Sequence, residues 1–194
     1  MNTKPVQIRL ELPEGYRRQA AEMYHEAFHR ELAPILGTGE ASLALLEQIL
    51  DPESTIVAIH QDQLVGIAVL ERKAYTPVAA RGISRLRRQI DLAYSRFRRR
   101  QDLLLESLVV LPAMRRAGIG TCLLQAVLDW ANVNGIDRVW TEVEATDSQP
   151  DAHCFFERLG FAAVNTQQYP HLYHSMGLWS VTTMIKSIKP VRYR

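Results

Sequence analysis

Apolar residues along this chain recur with two periods, and the switches between them predict its elements. Val6 to Leu12 alternates as a half-buried strand does. PEGYRRQAAEMYHEAFHREL then carries Ala20, Tyr24, Ala27, Phe28 and Leu32 at helical spacing, which predicts one amphipathic helix. A second helix is predicted from about Glu40 to Leu50, ending before the turn signal DPES. TIVAIH and LVGIAVLE read as two strands joined by the polar QDQ, as in a hairpin. Ile83, Leu86, Ile90, Ala93 or Tyr94, and Phe97 predict another amphipathic helix, with arginines on its other face. Leu103 to Leu111 reads as a strand, Gly118 to Asn134 as a helix closed by Asn-Gly, and RVWTEVE as a further alternating strand. Gln149 to Leu159 is a short helix with Gly160 as its C-cap, followed by strands over Phe161 to Gln168 and Val181 to Ser187. This order, without internal repeats or low-complexity linkers, predicts a single α/β domain with a mixed sheet over residues 1–194.

Length and composition agree with that reading. A chain of 194 residues supports one well-cored domain and is short for two. Hydrophobic residues at 47% and charged residues at 23% are globular values, which excludes a wholly disordered chain. The apolar run LLLESLVVL is too short and interrupted to span a bilayer, and the first residues lack the apolar core of a signal peptide. The expected location is therefore cytoplasmic, with no membrane partner. Cys122 and Cys154 have no zinc-site spacing around them, so the expectation is two buried free thiols and no metal.

The formal charge of +2 conceals an asymmetry: residues 81–100 carry eight arginines and one aspartate, +7, and the rest of the chain is −5. Such a block alone is weak evidence for nucleic acid when the remainder is acidic. It reads instead as a basic helical insertion whose arginine face is a solvated lid, a site for an acidic partner or an oligomer contact, with the lid or oligomer contact preferred, which leaves a homodimer open.

The densest chemistry lies in LVVLPAMRRAGIGTCLL, residues 108–124, where a strand meets a helix through two arginines and two glycines. The first N–H groups of a helix have no partner within it, and the dipole adds partial positive charge there. Glycines remove the Cβ atoms that would keep a phosphate away, and Arg115 and Arg116 add full charges. The joint therefore reads as a phosphate or pyrophosphate site, against the alternative of a plain turn with surface arginines. A dinucleotide fingerprint lacks its third glycine, since Leu123 stands there, and no Gly-Lys-Ser/Thr phosphate loop is present.

LVVLPAMRRAGIG resembles the acyl-CoA motif of the GCN5-related N-acetyltransferases (GNAT), Leu-x-Val-x-Pro followed by Arg/Gln-x-x-Gly-x-Gly/Ala, with Arg115, Gly118 and Gly120 in the signature positions. DAHCFFERLGF resembles that family's second motif through Ala152, Glu157, Leu159, Gly160 and Phe161. The resemblance extends to the strand order over nearly the whole chain. It implies a mostly antiparallel mixed sheet with splayed parallel central strands and helices on both faces. It also implies acetyl-CoA as cosubstrate. Its pyrophosphate would lie on the turn Arg116, Ala117, Gly118, Ile119, Gly120 and Thr121 beside Arg115. Its pantetheine arm would run along Leu108, Val109 and Val110.

The reaction implied is attack of a neutral primary amine, on a small molecule or a peptide, on the thioester. Glu106 is the candidate base, a carboxylate inside an apolar run two residues before Leu108. The alternative is an ion pair between Glu106 and an arginine of the basic block. The Val110 N–H is the candidate donor to the carbonyl oxygen. Glu142 and Glu144 share a strand face and are candidates for binding the amine, or else form a solvated face. Phe156 stands where the family carries a tyrosine that protonates the departing thiolate; a phenyl ring can pack the arm but has no proton to give. That departure supports the other reading, a catalytically silent acyl-CoA-binding regulatory or interaction module. HEAFH, His25 to His29, matches the zinc-protease pattern His-Glu-x-x-His, but no third ligand is evident in the sequence.

Overall fold

Among the described residues, seven strands form one sheet in the spatial order β1-β2-β3-β4-β5-β7-β6. They are β1 (Gln7–Arg9), β2 (Thr55–His60), β3 (Gln63–Glu71), β4 (Asp102–Val110), β5 (Arg138–Thr146), β6 (Ala162–Gln168) and β7 (Leu178–Ser187). The structure, a computed structural model, describes residues 5–37, 39–71, 102–146, 152–169 and 178–188. The predicted basic helix over 81–100 lies outside these residues, as do the first residues of the predicted helix from Gln149. β4 and β5 pair in parallel, and every other neighbouring pair is antiparallel. The fold is therefore the mixed, mostly antiparallel α/β sheet expected.

Helices cover both faces. α1 (Arg17–Ala27), α2 (His29–Leu36) and α3 (Glu40–Ile49) lie on one side, and α4 (Ile119–Val133) and α5 (Ala152–Arg158) on the other. Ala20, Ala21 and Met23 of α1 and Leu46 of α3 close over Val57, Ile59, Ile67 and Val69. On the opposite face, Ile119, Leu123, Leu124, Val127 and Ala131 of α4 close over Ile56, Ala58, Ala68, Leu103 and Leu105. Gly66 makes the second contact close: a Cβ there would stand 2.9 Å from Leu123 Cδ1 and 3.2 Å from the Val109 carbonyl.

Three expectations are corrected. The first helix is two, because Phe28 leaves helical geometry (φ −116°, ψ 27°) between α1 and α2. β1 is shorter than Val6 to Leu12 because the Leu12 N–H bonds the Pro52 carbonyl, in the loop before β2, rather than a strand. Cys122 and Cys154 are free but exposed, since the buried stripe of α4 passes through Leu123 and Leu124 and that of α5 through Phe156.

β4 also contains one residue more than its neighbour requires. Val69 pairs with Ser107, but Leu70 pairs with Leu105, so Glu106 is the surplus residue of a β-bulge. Leu103 and Leu105 belong to the α4 side. After the bulge, Leu108 and Val110 pack toward α4 while Val109 packs toward α1.

Candidate active site

The two parallel strands are pinned at one end and open at the other. At the pinned end Arg138 grips Asp102 through two bonds, Nε to Oδ1 at 2.9 Å and Nη2 to Oδ2 at 2.6 Å. That Asp102 side chain is only 4% exposed. The carboxylate raises the guanidinium's pKa through hydrogen bonds and charge. Pairing then runs only as far as Leu105 with Thr141, where the Thr141 hydroxyl donates to the Leu105 carbonyl at 2.9 Å. The bulge at Glu106 follows at once, and a bulged strand bends and twists. Beyond it no β5 residue pairs with β4.

The hydrogen-bond alternation of an antiparallel ladder decides what faces the opening. The Leu111 N–H donates to the Val65 carbonyl at 3.0 Å, so Val110, and by alternation Leu108, turn their backbone groups away from β3 and toward the gap. Val109 does the opposite: its backbone faces β3 and its side chain lies in the α1-side core. Of the three residues expected along the arm, two therefore present their backbones to the opening.

β4 ends in a short 3-10 turn, Pro112–Met114, and the chain then winds through two left-handed residues, Arg116 (φ 62°) and Gly118 (φ 81°). Gly118 is the N-cap of α4 and makes no side-chain cap, and no described residue lies within 4 Å of where its Cβ would stand. The first α4 bond runs from the Cys122 N–H to the Gly118 carbonyl, so the N–H groups of Ile119, Gly120 and Thr121 belong to the turn before helical bonding begins. Arg115, Arg116, Ala117, Gly118 and Thr121 are exposed, whereas the Ile119 side chain is core. The Arg115 Nε donates back to the Val110 carbonyl at 3.3 Å, tying the turn to the end of β4. Phe155 of α5 lies over the turn, 3.5 Å from a Cβ built on Gly120. Phe156 is buried at 7% exposure, edge-on to Phe155 and Phe161.

On the α1 side of the sheet, the Tyr24 hydroxyl donates to Glu106 Oε1 at 3.2 Å. Val139 and Val143 pack toward α4, so alternation puts Glu142 and Glu144 on the same side as Glu106. The structure thus gathers the three carboxylates on one face and the glycine turn at the end of the same strand. Tyr24 is the member that the sequence pattern conceals, because its ring also satisfies the helix stripe. The only hint is that a buried tyrosine needs a partner for its hydroxyl.

The histidines of HEAFH fall on either side of Phe28, with their rings edge-on at 5.3 Å. Among the described residues no group of three or more His, Cys, Asp or Glu side chains is placed to hold a metal ion, and no helix is long and apolar enough to cross a membrane. An open depression of about 520 Å³ lined by Arg9, Glu53 and Trp130 lies at the far end of α4, away from this turn.

The acetyltransferase (GNAT) family matches residues 17–161, three quarters of the chain and all of the elements just described from α1 to α5. The chain belongs to the GNAT family. Among solved structures it resembles several acetyltransferases at low identity. An aminoglycoside 6'-N-acetyltransferase complexed with coenzyme A aligns with a TM-score of 0.65 at 18% identity, over 96% of this chain and 99% of that one. The Drosophila melanogaster polyamine N-acetyltransferase aligns at 0.66 and 19%, over 94% and 100%. The Escherichia coli ribosomal-protein-S18-alanine N-acetyltransferase aligns at 0.61 and 15%, over 98% and 99%. At these identities the likeness is one of fold. No curated protein matches the chain in sequence.

Proposed function

We propose that this GNAT protein transfers an acetyl group from acetyl-CoA to a primary amine by direct attack. The observation that carries the reading is the coincidence, on one strand, of Glu106 at the bulge, backbone groups of Leu108 and Val110 turned to the gap, and an uncapped glycine turn. The residues suit the cosubstrate. The turn from Arg116 to Thr121 offers N–H groups at the positive end of α4 to a diphosphate. Leu108 and Val110 offer an open ladder edge to an amide-bearing arm.

Acetyl-CoA supplies an activated thioester carbonyl. Glu106 takes the proton from the amine nitrogen as the N–C bond forms and the C–S bond breaks. The Val110 N–H donates to the carbonyl oxygen as negative charge builds there. Phe156 supports no protonation of the sulfur, so the electron pair leaves on CoA thiolate, a tolerable leaving group. The neighbouring folds include enzymes named for aminoglycoside, polyamine and protein-alanine acceptors, so this architecture accommodates amines of very different size.

Acetyl-CoA should raise the melting temperature of the protein, and Gly120→Glu should abolish that rise, because the new carboxylate would stand beside the turn N–H groups and repel a phosphate. An unchanged rise in that variant removes the turn as the binding site. Glu106→Gln should lower turnover, to be measured as free CoA release with an amine panel, while the acetyl-CoA melting shift should persist. The second reading, a silent acyl-CoA-binding module, is favoured by the packing of Phe156 into the core without any acidic hydrogen. A melting shift without CoA release across amine classes selects it.

A further inference from the structure

The face that carries Glu106 has features that narrow the kind of amine, and the narrowing rests on the amine-acceptor reading above. Glu106 stands one residue past the last β4–β5 pair, Leu105 with Thr141, and so lies across the opening wedge from Glu142. Glu144 is the next residue of β5 on that face. Carboxylates grouped this way do not by themselves make a site. Two buried hydroxyls distinguish this group.

Thr183 is directly opposite Glu142 in the β5–β7 ladder, is 2% exposed, and its Oγ1 has no hydrogen-bond partner among the described residues. Ser107 follows Glu106 in the bulge, is 5% exposed, and its Oγ also has none. Cross-strand partners share a face. Thr183 therefore points to the side of Glu142, and Ser107 to the side of its partner Val69, a residue of the α1-side core. Each hydroxyl oxygen can accept a hydrogen bond from a ligand N–H. Arg138, the cation of β5 on this face, lies at the pinned end and is already bound to Asp102.

We infer that the acceptor is a primary alkylamine bearing a second cationic group, an ammonium or guanidinium. Glu106 meets the reacting nitrogen, and Glu142, Glu144 and the Thr183 hydroxyl hold the second charge. Successive positions on one strand face are roughly 6.5–7 Å apart, a separation that a spacer of about four or five carbons bridges. An amino acid would bring its own carboxylate against Glu142, which like charge disfavours.

The test compares 1,4-diaminobutane, n-butylamine and 4-aminobutanoate, similar in length and differing at the far end as cation, methyl and anion. With the full chain and acetyl-CoA, CoA release should give a kcat/KM for the diamine about tenfold or more above that for butylamine, with aminobutanoate lowest. Glu142→Gln and Glu144→Gln should narrow the diamine-to-butylamine ratio. Calorimetric titration of 1,4-diaminobutane into the CoA-saturated protein adds an arm independent of turnover, with a Kd weakened several-fold by Glu142→Gln. Equal use of butylamine or aminobutanoate, or a ratio that ignores both variants, overturns the inference and leaves acetyl transfer standing. Diamine binding that depends on Glu142, without any turnover, keeps the dication-binding face but overturns its role as an acceptor site, and with it the transferase reading. Neither binding nor turnover overturns both.

Discussion

The Tyr24 hydroxyl donates to Glu106 Oε1 at 3.2 Å, joining α1 to the surplus residue of β4. The same tyrosine ring packs on Phe28 at 4.8 Å between centroids, at the residue where α1 gives way to α2. One side chain thus orients the proposed base and fixes a helix end. Tyr24→Phe keeps the ring contact and removes only the donor. It should lower kcat by about threefold to tenfold, the equivalent of one ordinary hydrogen bond, and leave the KM for acetyl-CoA unchanged. In a Glu106→Gln background the same substitution should have no further effect. Steady-state kinetics on the four proteins of that cycle measure the coupling.

Gly66→Ala tests the close approach of α4. The added methyl would lie 2.9 Å from Leu123 Cδ1, 3.2 Å from the Val109 carbonyl and 3.3 Å from Ile119 Cγ2. Leu123 can yield, but the backbone oxygen cannot yield cheaply. A loss of about 1–3 kcal/mol in urea unfolding is expected. Because Ile119 is the first residue of α4, acetyl-CoA should also protect the variant less against heat.

Arg138→Met removes one half of the ion pair that pins β4 to β5. It strands the Asp102 carboxylate, 4% exposed, without its guanidinium. Breaking such a pair costs about 3 kcal/mol, somewhat less here because Arg138 itself is partly exposed. Adding Asp102→Asn should recover much of the loss. Denaturant midpoints of the single and double variants check both statements.

The tie between α1 and α3 should depend on acid. Arg18 reaches Glu40 through Nη1 at 2.5 Å and Nη2 at 2.7 Å, and the hydrogen bonds depress the Glu40 pKa below its ordinary value. A carboxylate whose folded pKa is depressed contributes stability above its unfolded pKa, and that contribution fades as pH falls through the folded value. The melting temperature of Glu40→Gln should therefore lie below that of the parent at neutral pH. The difference should close as pH falls through and below the usual carboxylate range. Both side chains are exposed, so salt should shrink the effect as well.

The hairpin of β2 and β3, the glycine turn and the β4–α4–β5 unit were legible because each rests on local chemistry. Gln61 and Asp62 both adopt positive φ between two almost continuously apolar strands, and Gly118 does so at a helix start. The break at Phe28 was not legible, because the Leu32 N–H still bonds the Phe28 carbonyl at 2.9 Å and the spacing runs through unaltered. The bulge was hidden for a similar reason. Residues 103, 105, 107 and 109 are all buried, an unbroken alternation, yet Leu103 and Leu105 serve one core and Val109 the other. Glu106 drew notice as a charge in an apolar run. Thr183 did not, because a threonine in a strand is ordinary and only the fold shows that its hydroxyl lacks a partner among the described residues.

The surplus residue in β4 has a further consequence. Deleting position 106 would leave every later residue of the strand opposite the same β3 partner and on the same side as before, now in plain alternation. Nothing in the sheet's own packing asks for that extra amino acid. A shortened chain should still fold, with its two middle strands free to zip past Leu105 and close the mouth between them. The cleft thus depends on a single insertion that the scaffold would be simpler without.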